Sequence, residues 1–208
     1  MGAPSHQGLR SRVGKIITSD EAQRINFTLD GVHIDGSGFY YVALALLPKG
    51  KAAGGIDFVV KQMGPGFGAQ YDPRKNNFEF PNENYGLDDD ERALIVHEST
   101  HALIDARRRT TSMIVSEMCA YISQACYYDA LGQSLRDSSD PIFAEADKIA
   151  TGITNERLGN GAMGNVTLTG TTVAGLRAAI LGDPAYAAVA ANPGGSYGES
   201  GVPLRRGG

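Results

Sequence analysis

Two histidines separated by three residues stand in the middle of an apolar run, residues 93–104. Because an α-helix turns once every 3.6 residues, His97 and His101 lie on one helical face and both imidazoles can reach one cation. Glu98 points about 100° away around the helix axis, so its carboxylate can approach a metal-bound water without binding the metal. Burying these polar groups is unfavourable unless they are paired or bind a metal. The pattern predicts a catalytic zinc site, and two histidines packed in a core helix are the alternative.

Charged residues mark both ends of the helix that carries this motif. Aspartates at 88–90 precede the apolar run, where carboxylates cap a helix and interact favourably with its positive end. Arginines at 107–109 follow the run, at the negative end. The sequence therefore predicts a helix over residues 88–108. A second helical segment, 112–131, follows after a short turn around Thr110-Thr111, and so short a connection favours an antiparallel helix pair.

A catalytic zinc ion usually has three protein ligands and keeps its fourth position for water. The candidate for the third ligand is Glu117 on the second predicted helix, because an antiparallel pair would bring this residue back beside His97 and His101. An exposed helical carboxylate is the alternative for Glu117. The remaining histidines are His6, in a polar leader, and His33, in a strand-like region well upstream.

The motif His97-Glu98-x-x-His101, followed on the next helix by Glu117-x-x-Ala120, resembles the gluzincin group of zinc metallopeptidases. In that group the two histidines and the later glutamate bind zinc, and the glutamate inside the motif is the general base. The resemblance implies that His97, His101 and Glu117 bind one Zn²⁺ per chain. It also implies that Glu98 is the general base.

An upstream segment, 71–80, resembles the strand–turn–strand that precedes the active-site helix in small gluzincins. There an edge strand lines the cleft and pairs with an extended substrate. The resemblance covers roughly residues 56–131, and the two ligand motifs are its specific part. It implies a zincin-like helical core, with an active-site helix and a glutamate helix, and a peptide or protein as substrate.

Gluzincins often use a histidine or a tyrosine to stabilise the oxyanion. No histidine of this chain is suitably placed, so tyrosines are the candidates. Tyr121 and Tyr128 follow Glu117 by four and eleven residues and share its helical face. Tyr71 and Tyr127 are further candidates. Packing in the core is the alternative role for each of them.

Many gluzincins carry an aspartate one turn after the glutamate ligand, and this chain has Tyr121 there. Asp105 lies one turn after His101 and on the same face, so its carboxylate is a candidate for orienting a histidine ligand. Its alternative role is an ion pair at the helix end with Arg108 or Arg109.

Composition excludes several classes of protein. The chain has 208 residues, 42% of them hydrophobic and 20% charged, which is typical of a folded soluble protein. A net charge of −4 gives no reason to expect a nucleic-acid partner. Apolar stretches stay below 18 residues and the N-terminus lacks an apolar signal core, so we expect no membrane span. We expect a cytoplasmic location or export by a non-Sec route. Cys119 and Cys126 are seven residues apart on one predicted helix, roughly 10 Å, which predicts reduced thiols.

The patterns along the chain predict an α+β fold. After a flexible leader (1–12), the N-terminal region is expected to be mostly antiparallel β, and a single zincin-like domain is expected over 13–191. A disordered tail is expected over 192–208. The predicted strands are 13–18, 25–29, 39–47, 56–63, 68–71, 77–80 and 166–168. The further predicted helices are 141–153, 171–181 and 184–191.

The function expected from these features is zinc-dependent hydrolysis, in particular peptide-bond cleavage by a metallopeptidase. Its alternative is a non-catalytic, zinc-stabilised interaction or effector domain on the same scaffold. Retention of Glu98 favours the enzyme, because a structural zinc site has no use for a base beside its ligands.

Overall fold

The computed structural model describes residues 6–46, 55–64, 68–107, 111–135, 138–159 and 164–195. Over these residues the fold is α+β, as predicted. Two long helices, α4 (Asp89–Ala106) and α5 (Met113–Ala130), lie at its centre and pack closely on each other. Their contacts run in opposite directions along the two helices, because His101 meets Ser116 and His97 meets Gln124. The predicted antiparallel pair is therefore confirmed, with ends within two residues of those expected.

Three shorter helices, α1 (Gln7–Ile17), α2 (Asp20–Gln23) and α3 (Gly36–Ala45), occupy the N-terminal region that was expected to be mostly β. The predicted strand at 13–18 is wrong. The buried residues of α1 are Leu9, Val13, Ile16 and Ile17, and this spacing is helical. Residues 7–12, expected to belong to a flexible leader, instead form the first half of this helix, and residues 1–5 lie outside the described residues.

The predicted strand at 39–47 is also wrong, because most of it belongs to α3 and its last residue lies outside the described part. A strand would bury every second side chain. Instead Phe39, Val42 and Leu46 are buried, at the spacing of one helical face, while Tyr40 and Tyr41 are half exposed. The helix begins at a capping aspartate, whose carboxylate accepts a hydrogen bond from the backbone three residues on.

The strands form two small mixed sheets. The first has the order β2-β1-β6, with β1 (Asn26–Leu29) antiparallel to β2 (Val32–Asp35) and parallel to β6 (Val166–Leu168). Asp30 and Gly31 connect β1 to β2, both with positive φ, which is the geometry of a two-residue hairpin turn. Strand β2 was not predicted.

The second sheet has the order β3-β5-β4. Here β5 (Asn77–Phe80) is parallel to β3 (Asp57–Val60) and antiparallel to β4 (Gln70–Asp72). The expectation of a mostly antiparallel region is wrong, because each sheet joins one parallel pair to one antiparallel pair. The strands predicted at 25–29, 56–63, 68–71, 77–80 and 166–168 correspond to β1, β3, β4, β5 and β6.

The C-terminal part is helical, as expected. It comprises α6 (Pro141–Gly159), α7 (Ala174–Gly182), a short 3-10 helix (Pro184–Tyr186) and α8 (Ala187–Ala191). Of the expected disordered tail, 192–195 are described, and the Gly195 carbonyl accepts a hydrogen bond from the first residue of α5 at 2.8 Å. Residues 196–208 of that tail lie outside the described residues.

Buried side chains from every helix α1–α8 and every strand β1–β6 form one hydrophobic core. Cys119 and Cys126 are buried in it as free thiols, as predicted. Within the described residues, every helix is too short or too polar to cross a membrane.

Candidate metal centre

Helix α4 is deeply enclosed over most of its length. The Asp88 carboxylate caps it by accepting a hydrogen bond from the backbone of Glu91 at 2.8 Å. Eleven consecutive residues, 95–105, are buried, so every face of this stretch packs against protein. His97 and His101 are each 5% exposed and Glu98 is 8% exposed. Three ionisable groups are thus buried, which costs free energy unless each has a hydrogen-bonding or metal partner.

Helix α5 brings the third group to the same place. It begins at Ser112, whose hydroxyl accepts a hydrogen bond from the backbone of Val115, and Glu117 follows in the second turn. One Glu117 carboxylate oxygen lies 3.8 Å from His97 Nε2, and the other lies 3.7 Å from His101 Nε2. Ligand atoms of the three residues all lie within 4.8 Å of one another. The structure therefore brings together the three residues predicted as ligands.

Each imidazole is fixed by a neutral partner on its other nitrogen. His97 Nδ1 lies 3.1 Å from Gln124 Oε1, and His101 Nδ1 lies 2.9 Å from Ser116 Oγ. Because Gln124 Oε1 can only accept, His97 carries its proton on Nδ1. The lone pair on Nε2 then faces the cluster. Partners of this kind orient metal-binding histidines and select the tautomer that binds.

Burial shifts the pKa values of the whole cluster toward neutral groups. It lowers the pKa of His97 to about 4 and holds the pKa of His101 well below its usual value. It raises the pKa of Glu117 to about 7, opposed by a hydrogen bond from Tyr186. Neutral imidazoles are the form that binds a metal, and a divalent cation here would favour ionisation of the carboxyl group.

These properties fit a zinc ion. Two neutral imidazole nitrogens and one carboxylate oxygen form a common catalytic zinc ligand set, and one coordination position stays open for water. Within the described part of the chain, no second group of three His, Cys, Asp or Glu side chains meets the same distance criterion.

Glu98 lies beside the ligands and outside their set. One of its oxygens accepts a hydrogen bond from the backbone N–H of Tyr71 on β4, at 2.7 Å. The other lies 4.0 Å from His97 Nε2 and faces the cluster. Burial raises the pKa of Glu98 to about 8, the Tyr71 N–H opposes the shift, and the nearby Glu117 adds to it. This carboxylate is therefore fixed at one oxygen and directed toward the cluster with the other.

The predicted tyrosines have different surroundings. The Tyr121 ring meets the His97 ring edge-on at 4.7 Å, and its hydroxyl lies 2.5 Å from that of Tyr186. The Tyr128 hydroxyl donates to Asp90 near the start of α4. Tyr128 is eleven residues beyond Glu117, roughly 16 Å along the helix, so the structure does not bring it to the cluster. Tyr127 is buried, and its hydroxyl lies near Ser19, the residue before α2.

Asp105 and Tyr71 form a second polar contact in this region. Asp105 is 3% exposed, and one of its oxygens accepts a hydrogen bond from the Tyr71 hydroxyl at 2.6 Å. Arg108 and Arg109, the alternative partners expected for Asp105, lie outside the described residues. The Nδ1 atom of His101 is hydrogen-bonded to Ser116 Oγ, so the role of Asp105 in orienting a histidine stays a prediction.

Three residues of the site were not predicted, namely Ser116, Gln124 and Tyr186. The first two have a signal in the sequence, because they lie one residue before and seven residues after Glu117 on the same helix. Tyr186 has none, since it reaches the cluster from the 3-10 helix near the end of the described chain.

The cluster opens into a cleft of about 1230 Å³. Residues 68–71 near β4 form part of its wall, together with several aromatic side chains. Five further carboxylates line it, and we call them the rim carboxylates: Asp88, Asp90, Glu91, Asp140 and Asp183. Among the described residues that line the cleft there is no lysine or arginine. The cleft therefore carries an excess of negative charge around the candidate metal centre.

Comparisons of this chain with known protein families, with curated proteins and with solved structures find no match. The function is therefore inferred from the residues of the site.

Proposed function

We propose that this protein is a zinc-dependent hydrolase, and in particular a metallopeptidase of the gluzincin type. The observation that carries the proposal is the placement of Glu98. Three ligand-type side chains converge within 4.8 Å, and a fourth acidic group stands beside them with one oxygen tied to β4. A structural zinc site is closed by four protein ligands, whereas three converge here among the described residues and Glu98 is held on β4 outside their set.

The residues take the following roles. His97, His101 and Glu117 hold the metal, and Gln124 and Ser116 keep the two imidazoles in the orientation that binds. A bound zinc ion supplies a Lewis acid that polarises a carbonyl group and lowers the pKa of water to about 7. Glu98 accepts the proton of the attacking water and delivers it to the leaving amine. The backbone N–H of Tyr71 leaves one Glu98 oxygen available for this transfer.

The hydroxyl groups of Tyr121 and Tyr186 are candidate donors for stabilising an oxyanion. They lie 2.5 Å apart and both tyrosines line the cleft, so one hydroxyl can donate to the substrate while it accepts from the other. Tyr128 stays a candidate from the sequence, and its hydroxyl is bound to Asp90 in this structure.

The wall of the cleft supports a peptide as substrate. Strand β4 is an outer strand of its sheet, and residues 68–71 near it line the cleft. An extended peptide can pair with an outer strand through its backbone, which brings a scissile carbonyl past the site in a fixed direction.

The test separates metal binding from turnover. Wild type and Glu98→Gln are purified in parallel, their zinc content is measured by elemental analysis, and hydrolysis of a peptide mixture is followed by mass spectrometry. We expect about one zinc per chain in both proteins. Hydrolysis by Glu98→Gln is expected to fall about 10²–10⁴-fold, because the proton acceptor is lost. The matched control is Glu156→Gln, an exposed glutamate on α6.

Unchanged hydrolysis by Glu98→Gln would contradict the proposal. Zinc-loaded wild type that cleaves no peptide would instead favour a non-catalytic, zinc-stabilised interaction domain.

A further inference from the structure

Tyr71 on β4 is hydrogen-bonded to helix α4 at two points. Its backbone N–H donates to a Glu98 carboxylate oxygen at 2.7 Å, and its hydroxyl donates to an Asp105 carboxylate oxygen at 2.6 Å. The two acceptors are seven residues apart, which is close to two full turns, so they lie on one face of α4. All three residues are at most 8% exposed. A single residue of the strand therefore contacts the helix at two buried points.

We propose that Asp105 is a positioning residue for the general base Glu98 and acts through Tyr71. This inference rests on the proposed function, in which Glu98 transfers protons. A glutamate side chain has several rotatable torsions, so its carboxylate keeps one direction only when a partner holds it. The partner here is the Tyr71 N–H, and the bond from the Tyr71 hydroxyl to Asp105 fixes where along α4 that N–H lies.

Strand β4 needs a second fixed point because it is short and pairs on one side. It comprises three residues, Gln70–Asp72, and its partner in the sheet is β5. With one bond to α4 the strand could pivot about Glu98. A second bond, two turns further along the helix, opposes both pivoting and sliding. The precision matters, because a displacement of about 1 Å can cost about 10²-fold in rate.

Other roles of Asp105 predict different results. A carboxylate that only stabilises the fold would, when removed, lower the free energy of unfolding and leave Glu98 in place. Asn76 Oδ1 lies 2.9 Å from the Tyr71 hydroxyl, and it could hold the tyrosine without Asp105. A role in orienting a histidine ligand would instead change the affinity for zinc. The positioning role predicts a loss of turnover with zinc affinity unchanged.

The first experiment is a double-mutant cycle. Zinc-loaded wild type, Asp105→Ala, Tyr71→Phe and the double variant are compared by kcat on one peptide that wild type cleaves, and by zinc affinity. Tyr71→Phe removes only the hydroxyl and keeps the N–H that bonds Glu98. We expect each single variant to lose about 10-fold or more in kcat. The double variant should lose no more than the larger single loss, because both changes break the same link.

Asp147→Ala is the matched control. Asp147 on α6 is also a buried carboxylate, 1% exposed, and it accepts a hydrogen bond from the backbone of Leu135 at 2.7 Å. It does not line the cleft. Its removal should lower the urea midpoint, as removal of Asp105 should, and leave kcat unchanged.

A second readout needs neither zinc nor substrate. Hydrogen exchange of the residue 71 amide, followed by NMR in metal-free protein, reports on the bond to Glu98. Amides of the central strand β1 serve as the reference for global unfolding. In Asp105→Ala the residue 71 amide should exchange at least about 10-fold faster beyond any change at β1, and in Asp147→Ala the two should change alike. If Asp105→Ala fails to fold, Tyr71→Phe is judged by the same kcat and exchange criteria.

Several results would overturn the positioning role. These are an unchanged kcat in Asp105→Ala, an unchanged exchange rate at residue 71, and additive losses in the double variant. A loss of zinc affinity that accounts for the lost turnover would also overturn it. All of them leave the metal site and the role of Glu98 intact. Full hydrolysis by Glu98→Gln, or no hydrolysis by zinc-loaded wild type, would instead overturn the proposed function and this inference with it.

Discussion

Zinc should stabilise the folded protein, because its ligands come from two helices that the unfolded chain does not hold together. A ligand that binds only the native state adds RT ln(1 + [L]/Kd) to the free energy of unfolding, about 2.7 kcal/mol at a free zinc concentration 100 times Kd. In a domain of this size each kcal/mol raises Tm by about 2–4 °C. We therefore expect metal-free protein to gain about 5–11 °C on addition of zinc.

Two variants test whether the gain passes through the proposed ligands. Loss of a partner of a ligand weakens zinc binding 10–100-fold, so loss of a ligand itself should reach at least the upper end of that range. At the same free zinc concentration, Glu117→Gln should then gain less than about 0.5 kcal/mol, or about 1–2 °C. Glu98→Gln is the matched control, because Glu98 lies beside the ligands and outside their set, and it should keep most of the gain.

Differential scanning calorimetry at fixed free zinc measures these shifts. An equal rise of Tm in wild type and Glu117→Gln would refute the ligand assignment, and so would the absence of any rise in wild type.

Three further predictions concern charge and packing. Peptides that contain Lys or Arg should be cleaved with at least about 10-fold higher kcat/KM than matched peptides that contain Glu, because the rim carboxylates attract cations. Since salt screens exposed charges, a preference that persists in high salt would count against this reason. Gly36→Ala should lower the free energy of unfolding by about 1–3 kcal/mol, because the new Cβ would lie 2.6 Å from the backbone of α2. Gly14→Ala places its Cβ in open space on α1 and should raise the free energy of unfolding by up to about 1 kcal/mol. Equal urea midpoints of the two variants and wild type would contradict both expectations. Burial raises the pKa of Asp35, but hydrogen bonds and the Arg107 charge outweigh it and hold the pKa below its usual value. The stability from ionised Asp35 is thus present above about pH 4 and lost as the pH falls further. The difference in unfolding free energy between wild type and Asp35→Asn should therefore shrink between about pH 6 and about pH 3. A difference that stays constant over this range would refute the reasoning.

The elements that the sequence predicted well are those set by short-range geometry. The spacing of His97 and His101 follows from the period of a helix, and the short connection to the next helix determines where Glu117 returns. Caps at Asp88 and Ser112 mark the beginnings of both helices. None of these features depends on distant parts of the chain.

The N-terminal errors have a different cause. Short apolar runs fit a buried strand or a buried helix equally well, and the flanking residues decide between them. Asp35 caps α3 and commits the following run to a helix, although its aromatic residues favour a strand. For α1, the assumption of a flexible leader removed Leu9 from the pattern, and the apolar run that remained, Val13–Ile17, was short enough to be taken for a strand.

Parts of the site depend on tertiary packing and carry no local signal. The Tyr186 hydroxyl meets that of Tyr121 because α7, which packs on α5, and α8 hold the intervening 3-10 helix in place. The Tyr71 N–H meets Glu98 because β4 lies against α4. A spacing rule cannot anticipate either contact, since both depend on how separate elements dock.

The pairing of β1 with β6 has a consequence for how the molecule assembles. Phe27 is aligned with Val166, so the first sheet cannot be completed until the chain has been synthesised at least as far as β6. Helices α4 and α5 are neighbours in sequence and can pair earlier, since local contacts form faster than distant ones. The histidines and Glu117 would therefore meet before the segment carrying Tyr186 arrives. The polar cluster of α4 and α5 is then assembled before the first sheet and the part of the cleft wall that contains Tyr186 are complete.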